Sequence, residues 1–138
     1  MRLWHQSLIP YLDRQRLLGA HRELCALRGK GWGRKHSVVD YVFTHDPSQL
    51  VAYHHLVMNE MKRRGYNPDE TWYNPWWRGR AIGEEPGFAK GTVVKYFVDR
   101  AEKFSKPIYD EHDEAYLQEC LENLKGKGID LYDAVEGK

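Results

Sequence analysis

The residues best placed to do chemistry lie in one stretch, 12–24, LDRQRLLGAHREL. It sets one carboxylate, Glu23, among Arg14, Arg16, His21 and Arg22, with Asp13 at its start. Leu17, Leu18, His21, Leu24 and Cys25 recur at three- and four-residue steps, so the stretch reads as an amphipathic helix with an apolar stripe. Glu23 falls one step from that stripe, at the edge of a packed interface, and the N-terminal segment is short enough to fold back against it. The alternative is that Arg22 and Glu23 are solvated surface residues. A second stretch, 29–37, GKGWGRKHS, interleaves three Gly with Lys30, Trp32, Arg34, Lys35 and His36. Glycine frees backbone N–H groups to approach phosphate, and the basic side chains add charge. It is no P-loop, because no Gly-Lys-Ser/Thr follows four variable residues, and it also reads as a plain surface connection. His21 and Cys25, His54 and His55, and His112 and Asp113 are pairs without a zinc-type partner pair at standard spacing, so no metal is expected. No Gly-x-Ser-x-Gly, no cysteine in an electropositive Gly-rich turn and no dinucleotide fingerprint is present, so no cofactor is expected.

These residues need elements to hold them. Asp13 is a candidate cap for a helix over 13–28, in which Gly19 allows another backbone to approach closely. Ser7 before Pro10 suggests a short capped turn upstream. Asp46-Pro47 starts a helix that runs to Arg64 and stops at Gly65, burying Leu50, Tyr53, His54, Val57, Met58 and Met61. Residues 38–44, VVDYVFT, fit a short strand or a buried helical turn. Residues 66–91 carry the run YNPDETWYNPWWRGR and too much Pro and Gly for regular structure. That run is either an aromatic strap over the core or a set of rings offered to a base. The spacing over 92–104 favours a helix. A last helix over 112–125 has Asp113 as cap, Tyr116, Leu117, Cys120, Leu121 and Leu124 as its apolar face, and Gly126 as its stop. The tail 126–138 is expected to fray.

At 138 residues, 41% apolar and 30% charged, the chain is expected to form one globular domain. No 18-residue apolar run and no signal-type leader is present, and two cysteines are too few for a disulfide framework. The expected setting is a reducing cytoplasm, away from membranes. The net charge of +1 hides an asymmetry. Residues 1–40 hold eight Lys/Arg against three Asp/Glu, whereas residues 109–138 hold three against nine. The basic first third suits a polyanion, unless the acidic C-terminal helix neutralises it internally.

The stretch LDRQRLLGAHREL, followed by HLVMNEMKRRGYN, resembles the pyrimidine-dimer DNA glycosylase/AP lyase family of the phage endonuclease V type, and its LLGAHREL version is closer to the cellular branch. Leu12, Gln15, Leu17, Arg22, Glu23 and Leu24 match at the same distance from the N-terminus, and Glu60, Arg64, Gly65, Tyr66 and Asn67 match the end of the second major helix. The resemblance covers residues 1–67. It implies a mainly α fold, a single compact helical domain with the N-terminal segment packed between helices and a long irregular aromatic-rich connection. It implies double-stranded damaged DNA as partner and a monomer. The family's nucleophile is the terminal α-amine, which forms an imine with C1′ of the damaged nucleotide before β-elimination cuts the strand. Here that amine belongs to Met1, because Met is generally retained before a bulky residue such as Arg2. It sits one residue further out than the family's Thr amine, a reach change of at most about 3.6 Å. Lys30 is the nearest lysine in sequence. Glu23 is the implied catalytic carboxylate, with Arg22 on phosphate and Gln15 and Arg16 along the DNA; the basic charge of the first third adds Arg2, Lys30, Arg34 and Lys35 as candidate DNA-binding residues. Ala26 stands where the family carries a second basic residue. Two further readings remain: a non-catalytic nucleic-acid-binding module on the same fold, and a hydrolase of a small nucleotide-like ligand.

Overall fold

Asp46 and Pro47 start the helix on which the others pack. In the computed structural model, which describes residues 2–34 and 39–136, the Asp46 side chain accepts a hydrogen bond from Ser48 N at 2.8 Å and Pro47 takes the first helical position. Helix α2, Pro47–Arg63, then buries eleven of its 17 residues, including all six named from the sequence. A helix apolar on nearly every side must be wrapped by others, and α2 touches α1 (Arg14–Arg28), α3 (Gly91–Phe104) and the N-terminal segment. It ends at Gly65, whose φ of +85° needs the left-handed region that glycine adopts at least cost.

Helix α1, Arg14–Arg28, follows Asp13, but the Asp13 side chain makes no capping bond. Its Oδ2 lies instead 3.6 Å from Arg16 Nη1. The buried face is Leu17, Ala20, Leu24, Leu27 and Arg28, while Leu18, His21 and Cys25 are only half-buried. The stripe is therefore rotated from the one inferred from sequence. The leucines at three- and four-residue steps set its centre, and the His21–Cys25 edge faces the buried His54 on α2.

The N-terminal segment packs between helices. Leu3, Trp4, Leu8, Ile9 and Leu12 are all in the core. Residues Gln6–Tyr11 form a 3₁₀ turn capped by the His5 imidazole, which accepts from Ser7 N at 3.1 Å, so Ser7 is not the cap. Tyr53 of α2 donates its hydroxyl to Trp4 O, and Tyr116 donates to Leu3 O. Gln6 N donates to His112 Nδ1 at 3.0 Å.

Helix α3, Gly91–Phe104, packs on α2 but buries only Val94 fully. Helix α4, Glu114–Gly126, is capped by Asp113 accepting from Tyr116 N at 2.9 Å, and it buries Leu117, Cys120, Leu121 and Leu124. Gly126 is its last helical residue and not the glycine that turns the chain. Lys127 is the C-cap and Gly128, at φ +86°, makes the turn. Tyr132–Glu136 form a short helix, α5, and Ile129, Leu131, Tyr132 and Val135 pack against the core. Residues 40–44 form a 3₁₀ turn, and the irregular connection holds a 3₁₀ turn at Glu70–Tyr73 and an isolated antiparallel bridge between Trp77 and Glu84. Among the described residues there is no regular strand, and no helix is long and apolar enough to cross a membrane.

Candidate active-site cleft

A 100° rotation per residue places Gln15, Gly19, Arg22, Glu23 and Ala26 on one side of α1. The first four line a cleft of about 510 Å³, together with Arg16. Arg2 and Trp4 of the N-terminal segment form a second wall, and Asn123 and Lys127 at the end of α4 form a third. Gly19 does not serve close backbone packing: a Cβ there would meet only Arg22 Nη2, at 3.8 Å. The missing side chain instead keeps the floor open between Gln15 and Glu23.

The cleft is cationic. Four cations, Arg2, Arg16, Arg22 and Lys127, line it with one carboxylate, Glu23. Two of the cations are partly compensated from outside: Arg2 lies 3.4 Å from Glu119, and Arg16 lies 3.6 Å from Asp13. Arg16 Nη1 also donates to Gln15 Oε1 at 3.1 Å, and Lys127 Nζ donates to Asn123 Oδ1 at 2.7 Å. Adjacent residues on a helix point apart, and neither Arg22 nor Glu23 has a hydrogen bond or ion pair among the described residues. Glu23 is half-buried, Arg22 exposed. This leaves an acceptor and a donor facing open cleft, able to hold a cationic centre and a phosphate respectively.

Of the residues singled out from sequence, Arg2, Gln15, Arg16, Arg22 and Glu23 come together here. Lys30 and Arg34 are exposed in the turn after α1 and do not line the cleft. Met1, Lys35 and His36 lie outside the described residues. Trp4, Asn123 and Lys127 were not foreseen. Lys127 corrects the idea that Lys30 is the lysine to consider, since Lys127 lines the cleft itself. The only sequence signal for it was an Asn and a Lys four apart at the end of an otherwise acidic helix.

Behind the cleft, on the other flank of α1, His21 Nδ1 and His54 Nε2 are 2.9 Å apart, and Cys25 Sγ lies 3.9 Å from a nitrogen of each ring. The three side chains are close enough to share a metal ion, but their proton positions oppose it. Arg28 Nη1 lies 3.0 Å from His54 Nδ1. A guanidinium only donates, so His54 Nδ1 must accept and the neutral ring carries its proton on Nε2. That proton is donated to His21 Nδ1. Binding a metal through His54 Nε2 would require an imidazolate. Burial also pushes the Cys25 thiol up to about 11, against the thiolate a metal needs. The cluster is a hydrogen-bonded chain, as expected for a core histidine.

Arg28 is fully buried and ties this chain to the aromatic connection. It donates to Trp72 O at 2.6 Å, Asn74 O at 2.8 Å and Trp77 O at 2.9 Å, and its guanidinium lies over the Trp72 ring. Arg78 returns the grip, donating to Arg28 O at 2.7 Å and Gly29 O at 2.9 Å. Trp72 and Trp77 are thus parts of a strap, while Trp76 stands out from it.

Residues 1–74 match a known protein family, described as pyrimidine dimer DNA glycosylase. No curated protein matches the chain, and neither does any solved structure.

Proposed function

The chain belongs to the pyrimidine dimer DNA glycosylase family, and from that premise we propose that it is a glycosylase/AP lyase working on damaged double-stranded DNA through the cleft that holds Glu23. The α-amine of Met1 attacks C1′ of the damaged nucleotide, the bond from C1′ to the base breaks, and the base leaves with the electron pair and takes up a proton. The amine then sheds one proton and its lone pair opens the sugar ring: the C1′–O4′ bond breaks, O4′ takes up that proton as a hydroxyl, and the C=N bond forms as a protonated imine that keeps the second amine proton. Loss of a C2′ proton then expels the 3′ phosphate by β-elimination and cuts the strand. An α-amine suits the role, because its ordinary pKa of about 7.7–8.0 leaves much of it neutral near pH 7.

Glu23 is the proposed carboxylate for this chemistry. It stabilises the positive charge that develops at C1′ and on the imine, and it moves protons to and from the sugar. Arg22 and Arg16 hold flanking phosphates, with Gln15 against the strand. Arg2 and Lys127 serve the same end from the other two walls. The cleft takes a nucleotide turned out of the stack, since the reacting C1′ is out of reach in an intact duplex. The observation that carries the reading is one of place: Glu23 lies on the same cleft as Arg2, the residue next to the proposed amine.

The test is borohydride trapping on duplex DNA with an abasic site, followed by peptide mapping. A covalent adduct on the Met1 peptide is the expected result. An adduct on Lys127 keeps the cleft and changes the nucleophile. Tight duplex binding with no adduct replaces the enzyme with a non-catalytic binding module on the same fold.

A further inference from the structure

The hairpin between Trp77 and Glu84 has no part in the cleft, lies beyond the family-matched residues, and is built to present its tip. Trp77 and Glu84 pair as an antiparallel bridge, Arg78 N donates to Gly83 O at 3.0 Å, and Glu85 N donates to Trp76 O at 2.9 Å. Gly79 and Gly83 take φ values of +93° and +79°. These conformations favour glycine and make the turn tight. The tip, Arg80-Ala81-Ile82, is exposed throughout, and Ile82 is one of four large apolar residues so exposed among the described residues.

The base of the hairpin is held at several points and its charges are paired. Arg78 clamps it to the last carbonyls of α1, binds Glu85 at 3.0 Å and lies over the Phe88 ring. Asn74 holds Glu84 at 3.1 Å. Arg80, by contrast, has no ion pair among the described residues, although the Asp69 carboxylate feels its charge. The hairpin stands beside the glycine-rich turn that carries Lys30 and Arg34, both exposed. The side of α1 that forms the cleft leads through exposed Ala26 towards that turn.

We propose that the tip Arg80–Ile82, with Lys30 and Arg34, is a second DNA contact that grips the duplex beyond the cleft. The inference rests on the glycosylase reading of that cleft. Arg80 meets a phosphate or enters the minor groove, and Ile82 lies against the sugar edges beside it, a pairing of cation and apolar wedge suited to a groove. Because the hairpin is already clamped, docking orders little that was loose.

The experiment compares the full chain with Arg80→Glu and Ile82→Ser variants on a duplex carrying a tetrahydrofuran abasic analogue, which cannot form an imine. Affinity is read across 50–200 mM salt, about the range over which phosphate contacts weaken binding measurably. R80E should bind about tenfold more weakly, with a salt slope smaller by about 1. Trapping on a true abasic site at saturating protein should be unchanged, because the cleft is intact. Hydroxyl-radical footprinting should show wild-type protection on one side of the lesion that R80E loses. Equal affinity, slope and footprint for R80E and the wild type would overturn the second contact and leave the glycosylase reading standing. A wild type that shows neither duplex binding nor trapping overturns both. Thermal melting separates misfolding from lost contact, and I82S, which changes no charge, should weaken binding without altering the slope.

Discussion

The buried Arg28 guanidinium meets His54 Nδ1 at 3.0 Å, and that one contact sets the proton positions of everything behind the cleft. It fixes His54 with its proton on Nε2, makes His21 Nδ1 an acceptor and leaves His21 Nε2 as the proton-bearing nitrogen facing Cys25. A side chain that is usually solvated has become the keystone between α1, α2 and the strap.

Arg28→Met should therefore be severely destabilising. It takes the donor from the part-buried carbonyls of Trp72 and Trp77 and from a buried histidine nitrogen, each worth about 1–3 kcal/mol when left unpaired, while Asn74 O keeps Trp77 N at 3.1 Å; a total loss of about 3–5 kcal/mol is expected after partial relaxation. Arg28→Lys should recover little, because one ammonium cannot span the carbonyls of Trp72, Asn74 and Trp77. Urea unfolding measures both. A loss under about 1 kcal/mol for either variant would remove Arg28 from this role.

Glu23→Gln should slow single-turnover trapping by roughly 10²–10⁴, the usual worth of a positioned acid–base group. Binding to the tetrahydrofuran duplex should hardly change, since the amide keeps the shape. An unchanged trapping rate would place the chemistry elsewhere.

Arg22→Ala and Lys127→Ala should each lower the salt slope of duplex binding by about 1, and their effects should be close to additive because they stand on opposite walls. Anisotropy titrations at several salt concentrations give the slopes. If Lys127→Ala leaves the slope intact, α4 does not face the DNA.

Stability should fall in mild acid. Burial holds His54 well below the ordinary 6.5, His55 at about 4 and His112 at about 3, and it lowers His5 and His21 as well. Below pH 6.5 the unfolded chain takes up protons that the folded chain refuses. The stabilisation is thus full above pH 6.5 and is lost as pH falls towards 4 and then 3. Counting only His54, His55 and His112, unfolding free energy should drop by at least about 2 kcal/mol between pH 7 and pH 5. Urea midpoints that are level over that range would show these rings to be solvated.

Much of the scaffold was legible because its signals are local. Asp46-Pro47 and Asp113 each cap within three residues, so α2 and α4 could be placed from sequence. The Glu23 side of α1 was legible for the same reason, as helical spacing alone puts Gln15, Arg22 and Glu23 on one side. What could not be read depends on distant partners. Arg28 looked like an ordinary basic residue at a helix end, and its carbonyl acceptors are 44 to 49 residues away. Lys127 reaches the cleft only because α4 packs beside the N-terminal segment. Lys30 and Arg34, close to Glu23 in sequence, sit past the end of the helix and miss the cleft.

The walls of the cleft also say when it can exist. Leu3 O is held by Tyr116, Gln6 N by His112 and Arg2 by Glu119, partners 113, 106 and 117 residues apart. During synthesis Leu3, Gln6 and Arg2 emerge long before these three partners do, and α1 can fold while one wall of the site is still untranslated. The stretch that carries the family signature, residues 1–74, therefore lacks Asn123 and Lys127 as well as the tyrosine that fixes Leu3. A chain that ends before α4 is thus missing one wall of the cleft and the hydroxyl that holds Leu3 O.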